Sequence, residues 1–572
     1  MLLTSYLAVL PRFRTRDDNM IKLTARQAIL CWSARRISVL LTIVALMLWP
    51  YSITQAKLNI GFYGLIHSLP VTFFVALVIL IIASAILWTS PYNESKLLFT
   101  QLFFLITSLW LAPFMVGSTV ATAPWIYEWA GFTEYICRTG HVAQHIILQQ
   151  NWPGALILYS VVINVSGLSS PSVLIQPAPF VFQFVFLLFL YLFFKYTLSD
   201  NQKNLSFAGL FIFTLANWGP QTYLSSHTLA YAILLLMLSL LVKETISKKI
   251  SLAASKAIVI LLGAFVAVTH VVTSLMAIAF GFVRFVGSRG KNTIVVLFGI
   301  FVASWAIYVT TSFFESSLPM YLENALRLDI VFHQGIIAPR TIGNESRQAI
   351  SQVKIVTTML FLIVAFVGFL YSLKRCRGTH VDLAILGFST STILVAIIVG
   401  GNYTWELLDR IYLSILPGIA YFGIKLINSK LKALLCILLV VAIPLFFVSH
   451  YGSQISYHVS QYQFAAADFF EARTNEGELI TWGCMGAEKN IEHYYRFSFI
   501  KLRDDDSLLY QQPSRFHYRY VEIGDYEARK MEFLYSDRQF VTERHYFLRT
   551  SPNYNLIYAN PEVDLFVTEK QP

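Results

Sequence analysis

The sequence is poor in charged residues and in cysteine. Asp, Glu, Lys and Arg make up only 13% of its 572 residues, whereas 56% are hydrophobic and the mean hydropathy is +0.59. Soluble domains contain about 25% charged residues, so this composition excludes a soluble globular protein and predicts a polytopic α-helical membrane protein. The five cysteines are widely spaced and predict neither a disulfide framework nor a metal site.

Motifs of several soluble enzyme classes are also absent. No Gly-x-Gly-x-x-Gly follows a predicted strand, and neither Gly-x-x-x-x-Gly-Lys-Ser/Thr nor His-Glu-x-x-His occurs, which argues against nucleotide hydrolysis. The net charge of +11 does not indicate a nucleic-acid partner. The first 450 residues hold 30 basic and 14 acidic residues, whereas the remainder holds 13 basic and 18 acidic ones. The basic excess therefore belongs to the membrane part, where cytoplasmic loops collect Lys and Arg.

Apolar runs recur along the chain after a basic segment at residues 1–36. Each run is close to the roughly 20 residues that cross a bilayer as a helix, so we predict about thirteen transmembrane helices. The predicted spans are 37–55, 69–89, 97–117, 177–197, 206–220, 224–242, 254–270, 272–288, 293–312, 353–373, 381–400, 411–427 and 433–449.

Lys and Arg are concentrated in every second loop between these spans, whereas the alternate loops 56–68, 219–223 and 401–409 contain only Lys57. The positive-inside rule therefore predicts a multi-pass plasma-membrane protein with a cytoplasmic N-terminus. Three regions are expected. They are a cytoplasmic segment 1–36, a membrane domain 37–449 with outer loops 118–176 and 313–352, and an extracytoplasmic domain 450–572.

The final region reads as a small α/β domain. Its pattern predicts a helix at 465–473, a strand at 478–482, and a hairpin formed by 555–559 and 563–568 around Asn560-Pro561-Glu562.

The longest break between apolar runs in the first half of the chain is 121–160. Pro124 suits a first-turn position, so we predict a helix from Trp125 that ends at Gly140, and a turn at 151–154 that starts a second helix. A period of 3.6 places on one face Trp125, Glu128, Trp129, Phe132 and Ile136.

Glu128 is the acidic group that interrupts this aromatic face, and we predict it to be a catalytic base. The other acid, Glu134, stands four residues before Arg138, so an ordinary i,i+4 surface pair explains it. His141 and His145 have the spacing of helical metal ligands, but Gly140 ends the helix before them, and a pair of interfacial histidines is the favoured interpretation.

Other ionisable groups lie near predicted outer helix ends. His270 occupies a tight hairpin between two apolar runs, where either a functional role or backbone capping is expected. Arg410 follows Asp409 at the outer end of the span 411–427. Two roles are equally expected: Arg410 binds a phosphate through several N–H donors, or it extends to the membrane interface with Asp409 as its counter-ion. Arg340 in loop 313–352 is a further candidate cation.

Four short motifs follow one another in a fixed order. They are Tyr135-Ile136…Thr139-Gly140-His141 with Trp152-Pro153-Gly154, His270-x-x-Thr273-Ser274-Leu275, Asp409-Arg410-x-Tyr412…Leu416-Pro417, and Ile557-Tyr558-Ala559-Asn560…Val563-Asp564-Leu565-Phe566. Through these motifs and their order, the chain resembles the GT-C superfamily of integral-membrane glycosyltransferases, and most closely the large set of its members found in archaea and bacteria. The likeness covers most of the chain from about residue 97.

The resemblance implies a GT-C-like fold and transfer of a sugar from a polyprenyl-phosphate lipid to a glycan, lipid or protein acceptor on the extracytoplasmic face. The family usually carries an Asp near the position of Trp125, which is not acidic here. The resemblance therefore leaves two alternatives open: Glu128, three residues further on, substitutes as the general base, or the site is altered or inactive. The donor phosphate would be bound by Arg410, Arg340 and His270. Contacts with substrate are expected from Trp125, Tyr127, Trp129, His141 and Asp409. A divalent cation is compatible with such a site, but we assign no cofactor and no metal ligand.

Two other classes remain open. An O-antigen-type polymerase or ligase is also polytopic and lipid-linked, but usually relies on outer-loop arginines and a histidine. A lipid or sugar transporter should place charges near the bilayer midplane and show matching halves. The ionisable groups of this chain cluster near outer helix ends and no internal repeat is visible, which favours an enzyme.

The loop charges generate a first prediction. A reporter that is active only in the cytoplasm should be silent when fused after Pro572, because the final domain is expected outside the cytoplasm. The same reporter placed after Lys374, in a predicted inner loop, is the positive control. An active reporter after Pro572 would mean that the number of spans is wrong by an odd number.

Overall fold

The protein was analysed as a computed structural model. It describes residues 18–117, 125–144, 148–198, 202–219, 221–246, 252–287, 294–316, 318–324, 326–327, 329–330, 333, 337–374, 380–399, 406–456, 458, 460–473, 477–481, 497–501 and 520–568. The predicted loop residues 118–124 and His145 therefore lie outside the described residues.

Helices dominate the part of the chain before residue 457. They are α1 Asp18–Gln55, α2 Val71–Leu87, α3 Ser95–Trp110, α4 Trp125–Thr139, α5 Gly154–Ser166, α6 Ala178–Thr197, α7 Lys203–Ala216, α8 Ser226–Ile246, α9 Leu252–Ala267, α10 Val271–Gly287, α11 Ile294–Tyr308, α12 Glu345–Lys374, α13 His380–Val399, α14 Glu406–Lys425 and α15 Lys432–Tyr451. Short helices in the connections are Ala112–Met115, Thr311–Ser316, Leu318–Glu323 and Ala338–Thr341.

Every predicted apolar run coincides with one of these helices. Among the described residues, five stretches are long and apolar enough to cross a membrane, and the remaining apolar helices are shorter. The five are Ser33–Gln55, Ala178–Thr197, Ser226–Lys243, Glu345–Lys374 and Lys432–Ser456. The polytopic helical architecture is thus confirmed, while the count of thirteen crossings stays a prediction. The two largest differences in boundaries are at helix starts: α1 already begins at Asp18 and continues the basic segment into the first span, and α12 begins at Glu345, inside the predicted outer loop 313–352.

Polar side chains link neighbouring helices inside the bundle. Gln101 on α3 donates to Thr42 Oγ1 on α1 at 2.7 Å and accepts from Ser84 Oγ on α2 at 3.0 Å. Elsewhere, Asp382 on α13 accepts from the Tyr421 hydroxyl on α14 at 2.5 Å. Because hydrocarbon offers no hydrogen-bond partner, buried polar groups must pair within the protein, and such contacts help to set how the helices align.

The C-terminal residues form a small α/β domain, called the tail domain below. Its elements are α16 Gln461–Arg473, β1 Gly477–Thr481, β2 Phe497–Lys501, β3 Tyr520–Ile523, α17 Asp525–Tyr535, α18 Gln539–Thr550, β4 Tyr554–Ala559 and β5 Asp564–Thr568. The sheet has the order β2-β1-β3-β5-β4, in which β1 runs parallel to β2 and β3, and β5 runs antiparallel to β3 and β4.

The hairpin of β4 and β5 forms where the sequence predicts it. Asn560 closes its turn, since its backbone N–H donates to Val563 O at 2.9 Å and its Oδ1 accepts from Val563 N at 2.8 Å. The predicted helix and first strand are also present, as α16 and β1. The elements β2, β3, α17 and α18 were not predicted.

The tail domain packs on one end of the helical bundle, called the tail side below. Phe533 O at the end of α17 accepts from Asn344 N at 3.1 Å, just before α12 begins. At a second place, the rings of Tyr127 on α4 and Phe464 on α16 meet edge to face with centroids 5.2 Å apart. The ends of α4 and α12 are therefore in direct contact with the tail domain.

Candidate active site

A buried polar turn between α7 and α8 positions the first site residue. Trp110 Nε1 donates to Thr222 Oγ1 at 3.0 Å, and the Tyr159 hydroxyl donates to Ser225 O at 2.9 Å. The turn is thereby tied to α3 and α5. His227 lies at the start of α8, and its Nδ1 is 3.1 Å from Ser225 Oγ. These contacts hold the His227 imidazole in a buried position.

A close backbone approach positions a second histidine. Gly154 N at the start of α5 donates to Val268 O at 2.9 Å, in the turn that joins α9 to α10. A Cβ atom at Gly154 would lie only 2.5 Å from Thr269 Oγ1, so only glycine fits there without a shift. The contact fixes the turn that carries His270.

His270 caps α10 through one nitrogen of its ring. Its Nδ1 accepts from Thr273 N at 3.2 Å and lies 2.9 Å from Thr273 Oγ1. Because Nδ1 accepts a hydrogen bond, the proton of the neutral ring resides on Nε2. A ring whose Nδ1 accepts a hydrogen bond is uncharged and donates from Nε2. Capping and ligand binding are therefore compatible, because they use different nitrogens.

Arg410 lies within electrostatic range of both histidines. The rings of His227 and His270 are 5.9 Å apart between centroids. Arg410 follows the buried Asp409 near the start of α14. The structure thus brings together two groups predicted from the sequence, His270 and Arg410, with one that was not, His227.

Lys354 on α12 adds a second basic side chain. It interacts electrostatically with Asp409, and its Nζ lies 5.6 Å from the centre of the Trp218 ring. The Trp218 ring is stacked on that of Tyr412 on α14, with centroids 5.6 Å apart. We call His227, His270, Lys354 and Arg410 the cationic cluster, with Asp409 as its acidic member. Two cations against one carboxylate leave room for an anion.

Helix α4, which carries Glu128, begins at Trp125 and ends before Gly140 as predicted, and Gly140 has a φ of 68°. Glu128 is half-buried in the first turn of this helix. Ile126 and Tyr127 belong to the same buried cluster as Tyr223, whose ring lies 5.0 Å from that of His227 between centroids. The first turn of α4 therefore lies next to the cationic cluster.

The environment of the second acid on α4 differs from expectation. Glu134 Oε1 is 3.4 Å from Arg138 Nη2, so the i,i+4 pair exists, but only Arg138 is exposed, whereas Glu134 is 9% exposed. The helix is covered on two sides. One side packs on the tail domain, and the other packs Phe132 and Ile136 against Leu156 of α5.

The remaining predicted residues lie in varied surroundings. Trp129 is half-buried against Phe132, whereas Tyr127 is only 3% exposed, so its ring supports the tail domain. His141 is exposed just after α4, and Arg340 is exposed at the end of a short helix. The side chain of Trp125 lies outside the described residues.

Sequence reasoning missed two members of the cluster, His227 and Lys354. Each carried a signal, because each is a polar group near the beginning of a long apolar run, where an ionisable residue is costly and tends to be functional. What the sequence did not show is that the starts of α8 and α12 meet those of α10 and α14.

Fold and site together define a polytopic membrane protein with a cationic cluster at its tail side. Among solved structures the chain is similar to ArnT from Cupriavidus metallidurans. For that protein bound to undecaprenyl phosphate the identity is 10% and the TM-score 0.39, over 82% of this chain and 97% of the other. For the apo state of that protein the identity is 11% and the TM-score 0.34, over 81% of this chain and 95% of the other. At these values the likeness carries no assignment of residues or activity. No protein-family model and no curated protein matches the sequence.

The two roles of His270 can be separated by substitution. His270→Asn keeps an acceptor for Thr273 N but removes the distant N–H, so the melting temperature should stay near wild type while binding of inorganic phosphate at the cationic cluster weakens. His270→Gln can place an N–H near the position of Nε2 but loses the cap. It should have a lower melting temperature, because losing the cap lowers the free energy of unfolding by about 0.5–2 kcal/mol, and it should bind phosphate better than His270→Asn does. Wild-type binding by His270→Asn would leave His270 with capping alone.

Proposed function

We propose that the chain is a membrane glycosyltransferase that moves a sugar from a polyprenyl-phosphate donor to an acceptor hydroxyl on the extracytoplasmic face. The observation that carries the proposal is the cationic cluster beside the first turn of α4, which holds Glu128. A lipid phosphate needs cations at a helix mouth, and an acceptor hydroxyl needs a base near them.

The donor phosphate is assigned to Arg410 and Lys354. A guanidinium offers several N–H groups in a fixed fork, and an ammonium adds a compact charge. Asp409 interacts with Lys354 and directly precedes Arg410 on α14. One carboxylate therefore holds the two cations together but cannot neutralise both. His270 adds an uncharged N–H, which strengthens binding without adding repulsion between cations.

Glu128 is assigned the removal of the acceptor proton. The acceptor oxygen forms a bond to the anomeric carbon while the bond from that carbon to the phosphate oxygen breaks. The proton passes to the Glu128 carboxylate, and the electron pair leaves on the phosphate. Charge grows on the phosphate during this step, so cations fixed beside it stabilise the transition state more than the ground state. Trp129, half-buried next to Glu128, is the aromatic face assigned to a sugar ring.

The direct test is the composition of cells with and without the protein. Mass analysis of lipid-linked sugars and surface glycans should show the donor lipid accumulating, and one sugar missing from the glycan, when the chain is absent. Unchanged glycans with an unequal distribution of the lipid across the membrane would point to a transporter. Shortened chains of an intact repeat unit would point to a polymerase.

Replacement of Arg410 tests the phosphate assignment. Arg410→Lys keeps the charge but loses the planar fork, so donor use at fixed concentration should fall by roughly tenfold, as expected for about 1.4 kcal/mol. Donor use by Arg410→Ala should fall further, because this variant also loses the charge. The matched control is Arg327→Lys, since Arg327 is exposed and bonded to Asp329 at 2.7 Å. Equal donor use by Arg410→Ala and wild type would remove Arg410 from the site.

A pair of isosteric changes on α4 tests the base. Glu128→Gln should fold normally but lower turnover by roughly a hundredfold or more, because the proton acceptor is lost. Glu134→Gln removes a carboxylate that is paired with the exposed Arg138, so it should leave the turnover of folded protein almost unchanged. Transfer is measured in membranes at matched expression. An inactive Glu134→Gln beside an active Glu128→Gln would exchange the two assignments, and two active variants would exclude both acids.

A further inference from the structure

The tail domain reaches the neighbourhood of the cationic cluster through one apolar contact. We call this set of side chains the tail contact. Its main members are Ile126 and Tyr127 of α4, Tyr223 of the turn before α8, Phe470 of α16, Tyr520 of β3 and Leu565 of β5. Phe470 and Tyr520 meet edge to face with centroids 5.1 Å apart. Residues from the membrane part and from the tail domain thus share a single buried cluster.

Tyr223 is the member of the tail contact that also touches the cationic cluster. Its ring is 5% exposed and stands edge to face against His227, with centroids 5.0 Å apart. His227 is itself only 4% exposed and lies between this ring, Ser225 Oγ and the ring of His270. Tyr223 is therefore one of the side chains that enclose the His227 imidazole.

The tail domain makes a second contact, with the start of α12 on the other side of the cationic cluster. The Arg347 guanidinium at the start of α12 donates to Leu534 O of the tail domain, and Arg347 interacts electrostatically with Lys354. Gly343, just before α12, has a φ of 93°, and a Cβ there would lie 2.7 Å from Phe533 O. The tail domain is thus seated against both the start of α12 and the turn before α8.

We infer that the tail domain completes the transfer site, and that Tyr223 is a positioning residue which the tail contact presses onto His227 to hold it against His270. The part of this inference that concerns the phosphate rests on the proposed function. The part that links Leu565, Tyr223 and His227 does not, because it can be measured without donor or acceptor.

Chemical labelling of His227 tests the link in the full-length protein in lipid nanodiscs. Diethyl pyrocarbonate modifies accessible imidazoles, and mass spectrometry reports each histidine separately. His227 should be protected in wild type and in Tyr223→Phe, which keeps the ring, and several-fold more reactive in Tyr223→Ala. The exposed His141 should react equally in all three proteins. Protection of His227 in Tyr223→Ala equal to that in wild type would overturn the inference.

The tail-domain side of the contact has a matched pair of variants. Leu565 of β5 is 2% exposed and packs in the tail contact, whereas Leu548 of α18 is fully buried in a separate core inside the tail domain. Both Leu→Ala changes remove core volume from the tail domain, but only Leu565→Ala removes it from the tail contact, to which Tyr223 also belongs. His227 should become more reactive in Leu565→Ala alone. Equal reactivity in both variants would reduce the effect to general loosening of the tail domain and overturn the specific link.

A double-mutant cycle then asks whether Tyr223 acts through His227. Binding of undecaprenyl phosphate, and the KM for the sugar donor, are compared in Tyr223→Ala, His227→Gln and the double variant. Tyr223→Ala should weaken binding several-fold in the wild-type background and add little once His227 is replaced. Fully additive losses would overturn the positioning role. Failure of wild-type protein to bind this lipid would instead refute the proposed function, and the labelling result would still decide the link.

Discussion

The site depends on how the chain places two cations, Lys354 and Arg410, around the buried Asp409. Charges removed from water are costly unless they are paired, and like charges repel more strongly at low dielectric. Asp409, 7% exposed, interacts with Lys354 and stands next to Arg410 in the chain, so it offsets part of both costs. His270 adds no charge, because a ring whose Nδ1 accepts from Thr273 N is neutral. The cluster therefore keeps an excess of positive charge that a phosphate can neutralise.

Backbone contacts at glycine determine where these groups lie. Gly154 lets α5 approach the turn before α10, and Gly343 lets the start of α12 approach the end of α17. A side chain at either position would push apart two segments that carry or flank site residues. Such contacts join parts of the chain that are more than a hundred residues apart, and they explain why a site assembled from four helices can be held in one geometry.

The tail domain uses the two faces of β5 for different purposes. Leu565 enters the tail contact, whereas its neighbour Phe566 packs in the separate core formed with α18. This follows from the period of two along a strand, which sends successive side chains to opposite faces. One strand thus links the internal stability of the tail domain to its contact with the membrane part.

The sequence by itself determined the class of fold and the bounds of many elements. The start of α4 at Trp125, its end before Gly140 and the hairpin around Asn560 follow from local rules, because caps, left-handed glycines and turn side chains act within a few residues. It also singled out Asp409, Arg410 and His270. Only the tertiary structure decided that His227 and Lys354 join them, that Glu134 is buried rather than exposed, and that Tyr127 supports the tail domain. These outcomes depend on contacts between helix ends and across the interface with the tail domain, and the periodicity of a single helix contains no information on which neighbour covers which face.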